Sequence, residues 1–133
     1  MTFHWPVRVY WEDTDAGGVV DYANYLKFME RARSEWLRAL GFEQDVLRID
    51  PGVVFVVRRV EVDYLSPARF NDALEVSVSL SRIGGASLVV EQTVNRDVTS
   101  LIAARVTLAC VDAAQFKPVK IPAFILSALE PAP

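Results

Sequence analysis

The feature that most constrains this chain is a single long stretch of helical period set among strands. From Tyr22 to Leu40 the apolar residues Tyr22, Tyr25, Leu26, Met29, Ala32, Trp36, Leu37 and Leu40 recur at helical spacing, and Gly41 follows as a stop. Lys27, Arg31, Glu35 and Arg38 fall mostly off that stripe. Such a helix is about 28 Å long and has one apolar face to bury, enough to cross one face of a small sheet. Asp21 stands before it as the expected N-cap.

The remaining patterned segments read as strands. Residues 7 to 13 alternate, with Val7, Val9 and Trp11 on one side and Arg8, Tyr10 and Glu12 on the other. Val53 to Leu65 is a long β-branched run ended by Ser66-Pro67, and Leu74 to Leu80 alternates cleanly. Gly84-Gly85 turns the chain into Ser87 to Val94, Asn95-Arg96-Asp97 marks another turn, and Ser100 to Val111 makes a fifth strand. A short apolar helix is expected around Phe124 to Leu129. The order predicts an α+β domain, 1–133, with a largely antiparallel five-stranded sheet packed on one long helix. Pattern alone leaves the place of the first strand open.

Composition narrows the function classes. A formal charge of -3 carries no global footprint for nucleic acid. The single cysteine, Cys110, allows no internal disulfide, and Met1-Thr2-Phe3-His4-Trp5-Pro6 lacks the regions of a signal peptide. No apolar stretch is long and charge-free enough for membrane insertion. The cytoplasm is therefore the expected compartment. A hydrophobic share of 52% in a domain of 133 residues points to an oligomer, since the surplus needs a partner surface.

The informative segment is Glu12-Asp13-Thr14-Asp15-Ala16-Gly17-Gly18-Val19-Val20-Asp21-Tyr22-Ala23-Asn24-Tyr25. It sets carboxylates just ahead of a helix N-terminus, whose unpaired N–H groups and partial positive charge can hold the oxyanion formed when a carbonyl is attacked. A nearby carboxylate can attack the acyl carbon or deprotonate a water. One oxyanion donor is worth about 2.7–4 kcal/mol and general-base help about 10²–10⁴-fold, which suits an activated thioester better than an amide.

The same residues resemble the bacterial YbgC-type acyl-CoA thioesterases, relatives of 4-hydroxybenzoyl-CoA thioesterase in the hot-dog superfamily. The match continues through Tyr25-Leu26, Glu30-Arg31-Ala32-Arg33, Phe55-Val56-Val57-Arg58-Arg59, Tyr64-Leu65-Ser66-Pro67-Ala68-Arg69 and Cys110-Val111-Asp112, nearly the full chain. The resemblance implies a hot-dog fold, hydrolysis of short-chain or aromatic acyl-CoA without cofactor or metal, Asp15 as the catalytic carboxylate and the Tyr22 amide as the oxyanion donor. Gly17 and Gly18 would let substrate approach the backbone. Arg58, Arg59, Arg69 and Arg82 are candidates for the coenzyme A phosphates, and the Arg82-Ile83-Gly84-Gly85-Ala86-Ser87 turn resembles the family segment beside the pantetheine arm. A dimer or dimer of dimers is implied, as is a link with the Tol-Pal envelope system. The chain departs from many members at Trp11, where they carry tyrosine, and at Asp21-Tyr22, where they carry Tyr-His; a backbone amide survives either change.

Other readings carry less. Asp13-Thr14-Asp15 opens like a calcium loop, but the twelfth position is Asn24 and the fifth is Gly17, so ligands are too few. An aspartyl-phosphate enzyme usually needs an alternating parallel architecture that is not present here. His4 is the only histidine, so a zinc site, a serine or cysteine hydrolase, and a hot-dog dehydratase all lack their usual residues. A protein that binds acyl-CoA or acts as a scaffold without turnover is the rival outside catalysis. Asp13 is expected to hold the turn by hydrogen bonds, and Cys110 to be a small core residue.

Overall fold

The computed structural model describes residues 2–129, so Met1 and residues 130–133, the ends of the expected domain, lie outside the described residues. The elements run β1 (Thr2–Arg8), α1 (Tyr22–Ala39), α2 (Gln44–Ile49), β2 (Val53–Tyr64), β3 (Ala73–Ile83), β4 (Ser87–Arg96), β5 (Thr99–Asp112) and α3 (Ala123–Leu129). The strands form one antiparallel sheet in the order β1-β3-β4-β5-β2. The first strand, which pattern could not place, is an edge strand on β3, with Trp5 opposite Val76.

α1 lies across one face of this sheet because its stripe and the inward residues of the strands are both apolar. Tyr25, Phe28, Met29, Ala32, Trp36 and Leu37 are buried on the helix. They share one core with Val76, Val78, Val90, Ile102 and Val106 on the sheet. Gln92 marks the helix-facing side, since its Nε2 donates to the Met29 carbonyl at 3.1 Å. The helix ends where expected: Leu40 is the C-cap, and Gly41 takes φ 98°, a left-handed value that a β-carbon would strain. Cys110 is fully buried in β5, and burial pushes its thiol up, as suits an inert core residue. α3 covers the end of the core, with Ile125 buried and Phe124 edge-on to Phe42 at 5.8 Å.

Three local expectations change. The strand expected over residues 7 to 13 lies earlier, at Thr2–Arg8, and Trp11–Asp13 is a single 3-10 turn. Val7 and Val9 do point inward, but Trp11 is 71% exposed, because the Asp13 carboxylate accepts the Tyr10 N–H at 2.8 Å and bends the chain away. Asp21 occupies the N-cap position without a side-chain capping bond; the Asn24 N–H takes the Asp21 carbonyl instead, at 2.8 Å. The short helix α2, with only Leu47 buried, has too few residues to announce itself in a pattern.

Candidate active site

Residues 14 to 20 form a tight loop whose neck opens into the first turn of α1. Thr14 and Val20 bridge across the neck, the Asp15 N–H donates to the Val19 carbonyl at 2.9 Å, and the Gly18 N–H donates to the Asp15 carbonyl at 3.0 Å. Gly18 sits at φ 77°, the left-handed value that closes this turn. The Asp21 N–H returns to the Asp13 carbonyl at 3.1 Å, and Asn24 Nδ2 reaches the same carbonyl at 3.2 Å. Asp13, 8% exposed, is thus the post on which turn and helix are both hung, as expected of it.

Asp15 itself is exposed. Its Oδ1 accepts the Gly17 N–H at 2.8 Å, which fixes the carboxylate, and Oδ2 has no partner among the described residues. A β-carbon on Gly17 would come to 3.2 Å from Oδ1, so the loop has little room for anything larger there. At the other side of the neck, the Tyr22 and Ala23 N–H groups find no acceptor among the described residues. That is the ordinary condition of a helix start, and it leaves donors and a positive dipole end free beside a fixed carboxylate.

A second loop, residues 65 to 72, buttresses the first. Ala68 is fully buried; its carbonyl accepts the Val20 N–H at 2.9 Å and its N–H donates to the Tyr25 hydroxyl at 2.8 Å. Val19 bridges Arg69, and the Phe70 N–H reaches the Gly18 carbonyl at 3.4 Å. Asp72 locks this loop, accepting the Arg69 N–H at 2.8 Å and Arg96 Nη1 at 2.7 Å. Burial alone would raise the Asp72 pKa, but the Arg69 amide and the Arg96 guanidinium outweigh it and hold the carboxyl below the ordinary range. A carboxyl with a depressed folded pKa stabilises at neutral pH and loses that contribution as pH falls through the folded value, here below about pH 4. Asp72→Asn is accordingly expected to cost about 2 kcal/mol at pH 7. Urea unfolding at both pH values checks this: the gap from the parent protein should close in strong acid.

Three tyrosines gather at the helix tip, a grouping that no sequence spacing reveals. The Tyr64 ring packs edge-on to Tyr22 at 6.2 Å and to Tyr25 at 5.8 Å, and the Tyr64 hydroxyl donates to the Tyr22 carbonyl at 3.3 Å. Burial, with Tyr22 and Asp21 nearby, raises the Tyr64 pKa; burial likewise raises that of Tyr25. Both hydroxyls therefore stay protonated at neutral pH, that of Tyr64 donating to the Tyr22 carbonyl and that of Tyr25 accepting the Ala68 N–H. Tyr64 was visible in the sequence only as the start of the Tyr64-Leu65-Ser66-Pro67 motif.

The other expected site residues are not brought to Asp15 within one chain. Ser87 shares a cross-strand row with Ala109 and Val56, while Tyr64 pairs with Ile102 near the helix tip. Eight residues of strand separate the rows, about 25 Å. Gly85 lies at that far end, its carbonyl accepting the Ile121 N–H at 3.1 Å. Arg58 is the extra residue of a bulge on β2, Arg59 is paired with Glu61 at 3.1 Å, and Arg82 follows a bulge on β3; all three are exposed. His4 is bonded to Glu75 at 3.0 Å on β1 and does not join the site.

A carboxylate held on the loop that leads into a helix start with free amides suits acyl transfer to water. A family model described as the thioesterase-like superfamily matches residues 9–129. The chain belongs to that superfamily. Within it the similarity is to YbgC proteins. The acyl-CoA thioesterase YbgC of Haemophilus influenzae is 47% identical over 120 residues, covering 90% of this chain and 88% of the relative. The acyl-CoA thioester hydrolase YbgC of Escherichia coli O6:H1 is 48% identical over 126 residues, covering 94% and 93%. Identity of that extent makes this chain a member of the YbgC family. The 4-hydroxybenzoyl CoA thioesterase of Pseudomonas sp. strain CBS-3 has the same fold, with a TM-score of 0.89 at 17% identity over 96% of this chain and 98% of that one. The hot-dog architecture expected from the sequence is thus the one present in this YbgC-family chain.

Proposed function

We propose that this chain hydrolyses acyl-CoA thioesters, with Asp15 as the catalytic carboxylate and the Tyr22 N–H as the oxyanion donor. The observation that carries the assignment is the Asp15 carboxylate, held through one oxygen and free at the other, on a loop that opens onto unpaired amides of α1. The thioester oxygen approaches the Tyr22 N–H, where the helix dipole favours the charge that develops on attack. On one route Asp15 attacks the acyl carbon, the coenzyme leaves as thiolate and is protonated from water, and a water then hydrolyses the anhydride to release the acid and restore the carboxylate. On the other, Asp15 takes a proton from the water that attacks, and the thiolate leaves with that proton as the acid is released. Gly17 and Gly18 keep side chains out of the approach. A thiol-release assay across acyl-CoA chain lengths tests the reading: turnover that Asp15→Asn abolishes supports it, and no thiol release from any acyl-CoA defeats it. Turnover unchanged in Asp15→Asn removes that residue from the mechanism. Short-chain and aromatic acyl groups are the substrates to try first, because the YbgC relatives and the aromatic acyl-CoA thioesterases share this fold. The rival dehydratase would need a histidine at the site, and His4 is engaged elsewhere. The rival acyl-CoA-binding scaffold predicts binding without thiol release.

The working unit in this reading is a dimer joined along β2. This twelve-residue strand is the edge of the sheet beyond β5, with Val57 47%, Val60 38% and Tyr64 48% exposed, an open template for a second strand. A two-fold axis normal to the sheet would pair two β2 strands antiparallel. Centred near Val60, that pairing sets the partner's Val56 row beside Tyr64, and with it the partner's Gly85 and Ser87. The phosphate-binding roles of Arg58, Arg59 and Arg82 belong to the same arrangement. Val60→Asp should yield monomers in sedimentation velocity and lower turnover by at least tenfold; an unchanged dimer would remove β2 from the interface. The cytoplasm is proposed as compartment on the single cysteine and on no helix among the described residues being long and apolar enough to cross a membrane, and an association with the Tol-Pal envelope system on the family resemblance alone.

A further inference from the structure

A second polar feature lies further along α1, in line with the proposed oxyanion site. A cavity of about 280 Å³ between α1 and β2 is lined by Glu30, Arg33, Leu37, Phe55, Val57 and Leu108 among others. Tyr22, Leu26, Glu30, Arg33 and Leu37 follow one another at steps of three and four, so they share one face of the helix. On β2, Tyr64, Val62, Val60, Val57 and Phe55 pair with Ile102, Ala104, Val106, Leu108 and Cys110, the helix-facing row of β5. Tyr64 touches Tyr22 at one end, and Phe55 and Val57 meet Arg33 and Leu37 at the other. A groove from the helix tip to the cavity would have this helix face and this strand face as its two sides.

Arg33 stands at the inner end of that groove. Its Nη1 donates to Gln92 Oε1 at 2.9 Å, and Gln92, 1% exposed, is itself held by the Met29 carbonyl. A guanidinium has five N–H donors. Among the described residues Arg33 makes no other hydrogen bond and no ion pair. Burial lowers its pKa and the charge of Glu30 offsets part of that, so the group remains a cation. A half-buried cation with donors to spare, in a cavity whose walls are Phe55, Val56, Val57 and Leu108 together with the polar Glu30, Ser34 and Gln44, is stabilised by an oxygen acceptor that enters the cavity. Gln92 fixes the guanidinium at the level of Met29, seven residues and about 10 Å along the axis from Tyr22.

We propose that Arg33 is a specificity-determining residue, binding an oxygen acceptor at the far end of the acyl group. The favoured substrates are then medium-length acyl-CoA esters, or aromatic ones, that carry a carboxylate or hydroxyl distal to the thioester. This rests on the thioesterase reading for turnover but not for binding. Suberoyl-CoA, 8-hydroxyoctanoyl-CoA and octanoyl-CoA share one chain length, and their relative kcat/KM isolates the distal oxygen. At least one oxygenated substrate should exceed octanoyl-CoA by about tenfold, mainly through KM. Arg33→Gln should erase that preference, while Arg33→Lys should keep part of it for the carboxylate. Suberoyl-CoA as the better substrate identifies an anionic group; 8-hydroxyoctanoyl-CoA identifies a neutral one.

Equal efficiencies in the parent protein, or a preference that persists in Arg33→Gln, would overturn the proposal. Calorimetry with free suberate, 8-hydroxyoctanoate and octanoate on the Asp15→Asn protein gives a reading independent of hydrolysis. Preferential binding of an oxygenated acid, lost with Arg33→Gln, sustains the role of Arg33 even if no thioester is cleaved. Binding without preference sinks it. Should Arg33→Gln fail to fold, the parent protein's own discrimination and the Arg33→Lys variant decide.

Discussion

Asp15→Asn is expected to fold as the parent does and to lose about 10²–10⁴-fold in kcat, the usual worth of a carboxylate acting as base. The loop does not depend on the charge. An amide oxygen can still accept the Gly17 N–H that now reaches Oδ1, and the neck is closed by the backbone bonds of Asp15, Gly18 and Val20. What disappears is the free second oxygen with its negative charge, the only part of the residue directed to chemistry. Thermal melting within a few degrees of the parent, alongside collapsed thiol release, separates loss of reactivity from loss of structure. Asp13→Ala is the useful contrast, since the Asp13 side chain accepts the Tyr10 N–H and is nearly buried, so its loss should appear in the melting curve.

Tyr22→Pro should lower kcat by about 10²–10³-fold while leaving α1 intact. Proline removes a backbone donor, which inside a helix breaks a hydrogen bond, but Tyr22 is the first helical residue and its N–H has no partner among the described residues. Asp21 is at φ -60°, ψ 134°, the extended region that a residue before proline prefers. The Tyr64 hydroxyl bonds the Tyr22 carbonyl, which proline retains. Tyr22→Ala is the matched control: it loses the ring but keeps the amide, and should retain far more activity than the proline variant. If both variants lose activity equally, the ring of Tyr22 and not its amide is what the reaction uses.

The long helix was legible because both its signals are local. The stripe repeats over eighteen residues, and Gly41 supplies the left-handed stop. The four later strands were legible for the same reason, being alternating or β-branched runs between glycine, proline and asparagine turns. β1 was displaced because the alternation of Val7 and Val9 carries on through Trp11 in the sequence, whereas the Asp13 carboxylate ends the strand by a contact that alternation does not encode. The proposed catalytic role of Asp15 rests on the family resemblance, but its place just ahead of a helix start was legible in the sequence. Its supports were not: Ala68, Asp72 and Tyr64 reach it through bonds spanning more than forty residues of chain. Gly85 and Ser87 show another limit. The family resemblance puts them among the expected substrate-binding residues, whereas the protomer keeps them at the opposite end of the sheet from Asp15.

The same difference between local and distant signals explains Arg33. In the sequence it stands within Glu30-Arg31-Ala32-Arg33, a segment of the family match with no role attached to it. Its meaning comes from Gln92, buried in the middle of β4, which turns the guanidinium inward beneath the β2 edge.

The most direct test of the account is a crystal structure of the Asp15→Asn protein with a non-hydrolysable acyl-CoA analogue. The account predicts the carbonyl oxygen of the analogue about 2.7–3.1 Å from the Tyr22 nitrogen, with residue 15 facing the acyl carbon from the other side. A carbonyl bound elsewhere, with the tip of α1 left open to solvent, would contradict it.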